Sequence, residues 1–250
     1  MITLAVFTSV NSFSTFVATI ESFFDKCENS RLIDEVIHVD DRSCIKNRDF
    51  YTSLLNRFLP NAKLTKIYLD EKSYTDDLDY LHNYAVVCED FRKKTLESKN
   101  KYVFMLEDDW FFCKNFDLKH FYDILENTTN PQLILTTIID NLLSQYSFFN
   151  FTKSEYNNFY INDDSRLYSV SERNPDKKVY IWNEVLGYQY FSQNPNLTRI
   201  DFFRKNGPFI KTNHFEFEYN KKAKLNKSSC NLISGEPYAY HIGSYKKFLK

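Results

Sequence analysis

Three consecutive carboxylates, Glu107, Asp108 and Asp109, follow directly on the apolar run Tyr102-Val103-Phe104-Met105-Leu106. Like charges crowded at the end of a buried segment raise one another's proton affinity unless a cation or a set of donors compensates. A divalent ion supplies that compensation: hard cations such as Mg²⁺ and Mn²⁺ favour carboxylate oxygens and neutralise charge developing on a phosphate leaving group. The plain alternative is a solvated acidic turn. Glu216 and Glu218, in Asn213-His214-Phe215-Glu216-Phe217-Glu218-Tyr219, are carboxylates that could take a proton from an attacking hydroxyl. If that segment is a strand, alternation with Phe215 and Phe217 puts both acids on one face, where they could simply be solvated. Asp40 and Asp41 close the run Glu35-Val36-Ile37-His38-Val39 and suit either a ligand contact or a turn or helix cap. His241, in Tyr238-Ala239-Tyr240-His241-Ile242-Gly243, could share a metal with carboxylates, or be an ordinary hydrogen-bonded imidazole.

The elements that must position these groups follow from periodicity. An apolar run over 2–10 reads as a strand, and Phe13, Phe16, Val17, Ile20, Phe23 and Phe24 recur at helical spacing over 13–27. A second strand ends in Asp40-Asp41, a helix runs through 50–58 to Pro60, and a short strand follows at 64–69. This βαβαβ order implies a parallel sheet. A third helix is predicted over 76–96, a central strand over 101–106, a helix near 118–125 and a strand at 132–138. Ligands of open parallel sheets bind at the C-terminal ends of the strands, which is where Glu107-Asp108-Asp109 falls. From 142 to 178 the chain is rich in Asn, Tyr, Phe and Ser without clear period, and is expected to be irregular structure on the acceptor side.

Composition removes several function classes. The formal net charge is −1 in 250 residues, with the basic residues scattered, so no nucleic-acid partner is expected. All four glycines lie at Gly187 or beyond, which excludes a glycine-rich phosphate loop or dinucleotide fingerprint in the N-terminal half. A nucleotide held there must be gripped by side chains and a metal. The five cysteines are widely spaced with no CxxC pair, which suggests neither a zinc knuckle nor a complete disulfide framework. The N-terminal apolar run is too short for a signal peptide or membrane span. No integral membrane segment and a cytoplasmic location are therefore expected. Aromatic residues make up 18% of the chain; most are expected in the core, with Trp110, Trp182, Tyr188, Tyr190 and Phe191 placed near a cleft.

Phe104-Met105-Leu106-Glu107-Asp108-Asp109-Trp110 resembles the DxD-type motif, in a Glu-Asp-Asp form, of family-2-like, metal-dependent GT-A glycosyltransferases. Phe7-Thr8-Ser9-Val10-Asn11 and Val39-Asp40-Asp41 fall upstream in the order that family shows, and Tyr238-Ala239-Tyr240-His241 is similar to its late histidine segment. The resemblance implies an α/β GT-A fold, with a Rossmann-like, mostly parallel central sheet flanked by helices and a C-terminal acceptor-side region. It implies one domain over 1–250, with 1–140 as the nucleotide-sugar half and 141–250 as the acceptor half. Thr8, Ser9, Asn11, Asp40, Asp41, Glu107 and Asp108 would contact the donor. Asp109 and His241 would hold Mn²⁺ or Mg²⁺, and Glu216 or Glu218 would act as base in an inverting transfer. A UDP-sugar is the favoured donor, and a glycan or other hydroxyl the acceptor.

Two rival readings use the same residues. A metal-dependent phosphoesterase or nuclease would gather Glu107, Asp108, Asp109, Asp40 and Asp41 around two ions. A non-catalytic carbohydrate-binding domain on a decayed frame would not need the acidic cluster at all.

Overall fold

The computed structural model describes residues 1–10, 12–69, 80–135, 168–169, 179–181, 190–210, 212, 214–229, 231–234 and 238–242; for 80–84, 168–169, 179–181 and 233–234 it gives the backbone only. Asn11, Asn213, Trp182 and Tyr188, together with the 142–178 stretch apart from 168–169, lie outside the described residues.

In chain order the strands and helices are β1 (Ile2–Ser9), α1 (Phe13–Lys26), β2 (Cys27–Glu28), β3 (Ile33–Asp41), α2 (Ile45–Phe58), β4 (Lys63–Leu69), α3 (Tyr80–Glu97), β5 (Tyr102–Glu107), β6 (Trp110–Phe112), β7 (Phe116–Asp117) and α4 (Leu118–Glu126). They continue as β8 (Gln132–Ile134), β9 (Tyr168–Ser169), β10 (Val179–Ile181), β11 (Asn196–Arg199), α5 (Ile200–Asn206), α6 (Phe215–Leu225), β12 (Leu232–Ser234) and β13 (Ala239–His241). Among the described residues one sheet has the order β4-β3-β1-β5-β11-β8-β12-β10-β9. The expected parallel core is present, with β1 pairing β3 on one side and β5 on the other, and β4 following β3. The antiparallel half was not anticipated: β11 runs against both β5 and β8, and β10 against β12 and β9.

The pleat of β1 and β5 divides the core into two layers, because successive side chains leave a strand on opposite faces. Ile2, Leu4 and Val6 join Tyr102, Phe104 and Leu106 beneath α1, α2 and α4. Ala5 and Phe7 join Val103 and Met105 beneath α3, α5 and α6. Helix α6 buries Phe215, Tyr219 and Ala223, one residue per turn, so its segment is a helix and not the alternating strand that was the other possibility. Its first turn carries Glu216 and Glu218 and its last Lys222 and Lys224, each sign suited to its end of the helix dipole. Phe191, expected near a cleft, is instead fully buried and packs on Phe203, Phe209 and Tyr219.

Candidate active site

The chain steps outward from β1 through β3 to β4, then returns to lay β5 on the other side of β1. That reversal makes the C-terminal ends of β1 and β5 a topological switch point, the position where open α/β sheets receive ligands. Its two sides are Ser9 and the Glu107-Asp108-Asp109 run. They are tied directly: the Ser9 backbone N–H donates to Asp108 Oδ2 at 2.8 Å, and the Ser9 hydroxyl to the same oxygen at 3.4 Å. Asp108 is buried.

Glu107 is the last residue of β5, in phase with Val103 and Met105, which directs it to the face that carries α6. Its Oε2 accepts from the Trp110 indole N–H at 3.4 Å. Burial pushes its carboxyl well above the usual range, and the negative charges of Asp109 and Glu216 push the same way.

His241 reaches the site through a short ribbon. Strand β6 pairs antiparallel with β13, which sets His241 opposite Trp110. The Ile242 backbone N–H then donates to the Asp109 carbonyl at 2.7 Å. The outer edge of the ribbon is held by α1, where Thr19 accepts from the Trp110 N–H and Ser22 from the Phe112 N–H. The result is an Asp109 Oδ2 to His241 Nε2 separation of 3.2 Å, beside a Trp110 ring that is 2% exposed. One carboxylate and one imidazole suit Mn²⁺ better than Mg²⁺, which keeps to oxygen donors and would draw on Asp109, phosphate oxygens and water. Among the described residues no three His, Cys, Asp or Glu side chains converge on one point.

Asp40 and Thr8 are brought together, but inward. Asp40 Oδ1 accepts from the Ser43 backbone N–H at 2.9 Å and from Arg48 Nε at 2.7 Å, while Oδ2 accepts from the Thr8 hydroxyl at 2.6 Å. Arg48 also donates to the Leu69 carbonyl, joining the end of β4 to the end of β3. Thr8 lies 3.0 Å from His38 Nε2, and His38 Nδ1 meets the Tyr68 hydroxyl at 3.1 Å. Burial lowers the His38 pKa to about 4, so the ring is neutral at pH 7. Asp41 is buried and takes Arg42 Nε at 3.2 Å. Arg42 holds φ 63, in the left-handed region, where the chain turns from β3 toward α2. Arg48, Ser43 and His38 were not singled out from sequence; a basic residue one turn inside the helix after Asp40-Asp41 was the available signal.

The two acids of α6 part company. Glu218 pairs with Lys221 at 2.8 Å and is about one third exposed. Glu216 turns into the protein: its Oε1 accepts from the Gln193 backbone N–H at 2.8 Å. Burial raises its pKa to about 7, against the opposing pull of that N–H and of the Ser192 side chain. The helix N-terminus is worth at most about 2 kcal/mol to an anion, and here enclosure outweighs it.

Solved structures share this fold. TarS of S. aureus matches with a TM-score of 0.59 at 15% identity, over 99% of this chain and 37% of that one; its residues 1–349 have also been solved with UDP-GlcNAc. Mannosyltransferase PcManGT from Pyrobaculum calidifontis, in complex with GDP-Man and Mn²⁺, matches with a TM-score of 0.52 at 11% identity, over 96% of this chain and 56% of that one. All are GT-A-type glycosyltransferases. The fold is GT-A. GalNAc-T7 with UDP, GalNAc and Mn²⁺ matches with a TM-score of 0.54 at 12% identity, over 96% of this chain and 43% of that one. The GT-A chain described here thus spans less than two thirds of the length of these relatives. Neither a family profile nor a curated protein sequence matches it. No helix among the described residues is long and apolar enough to cross a membrane.

Proposed function

We propose that this chain is a glycosyltransferase that moves a sugar from a nucleotide-sugar donor, UDP-linked in first preference, to a hydroxyl of a glycan or other acceptor with inversion. One observation carries the reading: Glu107, at the C-terminal end of β5, lies within electrostatic reach both of Asp109, which pairs with His241, and of Glu216, a carboxyl whose pKa burial raises to about 7. A general base works best when its pKa lies near the operating pH, because it is then both available and strong enough to accept the proton. Glu216 meets that condition, whereas Glu218 is engaged with Lys221 on the outer side of the helix.

In this reading Asp109 and His241 hold Mn²⁺, or Asp109 holds Mg²⁺, and either ion when bound offsets the charge of the departing diphosphate. Ser9, fixed by Asp108, and Glu107 line the donor pocket. Asn11 falls in the same loop, outside the described residues. Asp40 and Thr8 give the β3 end its shape through Arg48 and Ser43, and Asp41 continues that turn. Glu216 takes the acceptor hydroxyl proton as the oxygen attacks the anomeric carbon from the face opposite the nucleotide. Residues 1–140 supply the donor side and 141–250 the acceptor side. The two-ion phosphoesterase reading has less support, since both Asp40 oxygens are engaged by Thr8, Ser43 and Arg48, and Asp108 serves Ser9.

Calorimetric titration of UDP, GDP and their sugar conjugates, with and without Mn²⁺, tests the proposal. Metal-dependent binding of one nucleotide that weakens at least tenfold in Asp109→Ala is expected. Failure of every nucleotide to bind under both conditions would overturn it.

A further inference from the structure

Four successive backbone amides at 190–193 each donate to a side chain. The N–H groups of Tyr190 and Phe191 share Asn220 Oδ1, at 2.7 and 3.2 Å. The Ser192 N–H donates to Gln132 Oε1 at 3.0 Å, and the Gln193 N–H to Glu216 Oε1 at 2.8 Å. Gln132 is fully buried at the start of β8, and its amide nitrogen returns bonds to the Ser192 carbonyl and to Thr198 Oγ1, at 3.2 and 2.8 Å. The segment is therefore gripped from two sides, by β8 through Gln132 and by α6 through Asn220. Glu216 and Asn220 stand one turn apart on α6, so the same helix face offers acceptors to both ends of the segment.

A buried glutamine saturated on both its oxygen and its nitrogen is costly to place in a core, and its presence fixes one arrangement of what it bonds. What it bonds is Ser192, whose neighbour Gln193 gives its backbone N–H to the Glu216 carboxylate at 2.8 Å and whose own side chain acts to lower the pKa of that carboxyl. We propose that Gln132 is a positioning residue: by locking the 190–193 segment it aims the Gln193 N–H at Glu216 and holds the Ser192 side chain near it, and so sets the direction and proton affinity of that carboxylate. The assignment of Glu216 as base rests on the function proposed above, but the effect on its ionisation does not. The titratable group facing it from β5 is Glu107, and on its own helix Glu218 lies on the outer side.

The test reads ionisation and turnover separately in the full chain. The Glu216 carboxyl midpoint is followed by ¹³C NMR, with the resonance assigned by its loss in Glu216→Gln. Ser192→Ala, which removes one hydroxyl and leaves the backbone intact, should raise that midpoint by about one pH unit, the size expected of a hydrogen bond to a charged group. Gln132→Met, close in volume but unable to hold the segment, should raise it too, lower kcat by roughly ten- to a hundredfold and leave KM for the donor within about twofold. The acid limb of the kcat profile should move to higher pH with the midpoint in both variants. An unmoved midpoint in Ser192→Ala, or in a folded Gln132→Met, overturns the inference. A midpoint that moves while Glu216→Gln still turns over at the wild-type rate upholds the positioning and removes Glu216 from the role of base.

Discussion

Asp108 stands at the end of β5 and accepts the Ser9 backbone N–H from the end of β1 at 2.8 Å, so an acid from the most conspicuous cluster in the chain is spent on joining two strand ends. The strands are in register just below, where Phe7 pairs with Glu107, and beyond that point no ladder bond holds them. The carboxylate takes over where the sheet stops.

Removing that bond should loosen the donor side before it unfolds the protein. Asp108→Ala is expected to cost about 1 kcal/mol, the net worth of a hydrogen bond, since the part-buried Ser9 N–H keeps Ser12 Oγ at 3.1 Å as a second acceptor. Asp108→Asn, which keeps an acceptor oxygen, should cost less than half of that. Thermal melts give the stability order, and nucleotide titration should show weaker binding in the same order. Equal loss in both variants would mean that the charge, and not the tie to Ser9, is what counts.

Arg48 offers a sharper case. Its guanidinium is the cationic partner of Asp40, whose side chain is fully buried. Breaking a buried pair from one side leaves an uncompensated charge and costs about 3–5 kcal/mol, more than the pair is worth against apolar replacements. Arg48→Met should therefore lower Tm by about 6–20 °C for a chain of this size. Joining it to Asp40→Leu should recover part of the loss, and a double-mutant cycle by denaturant unfolding measures how much.

These two ties mark where the sequence could and could not be read. The strands that feed the site were legible because β1, β3 and β5 are long apolar runs, and α1 and α3 repeat their apolar residues at helical spacing. Glu107-Asp108-Asp109 was legible because acids rarely follow such a strand without cause. The division of labour within the run was not, since it depends on Ser9 and His241, 99 and 132 positions from Asp108 and Asp109 in the chain. Strands of three residues such as β6, β8 and β13 carry no period to detect. The alternation Phe215, Glu216, Phe217, Glu218 left a strand open beside a helix because Phe217 imitates a core residue, yet it is 43% exposed on the outside of α6. Gln132 left one trace, a polar residue opening an apolar run.

The neutral His38 predicts how stability responds to acid. Its pKa falls from 6.5 in an exposed setting to about 4 in the fold, chiefly through burial, with Asp40 opposing and Lys66 and Arg48 reinforcing. Folding thus favours the uncharged ring. The associated stability is complete above pH 6.5 and is lost as pH falls toward 4, by about 3 kcal/mol in all. In His38→Gln the slope of unfolding free energy against pH should flatten between those limits. Urea midpoints at half-unit steps would show it, and an unchanged slope would assign the acid sensitivity to other groups.

Glu216 gives the opposite sign, and with it a trade between stability and turnover. Its pKa rises from 4.5 to about 7 on folding because enclosure disfavours the anion. Below pH 4.5 the folded protein carries no penalty from this group; the penalty grows as pH rises through 4.5 to 7 and is complete above that, at most about 3 kcal/mol. Glu216→Gln keeps the shape and an acceptor oxygen for the Gln193 N–H but removes the charge. It should melt at the wild-type temperature near pH 4.5 and higher than wild type at pH 8, where turnover should drop by about a hundredfold or more for loss of a general base. A stabilised variant that no longer transfers sugar identifies a charge kept for chemistry at the expense of the fold. A variant both less stable and inactive would identify Glu216 as a structural anchor of the 190–193 segment, and the base would then have to be sought elsewhere along the site.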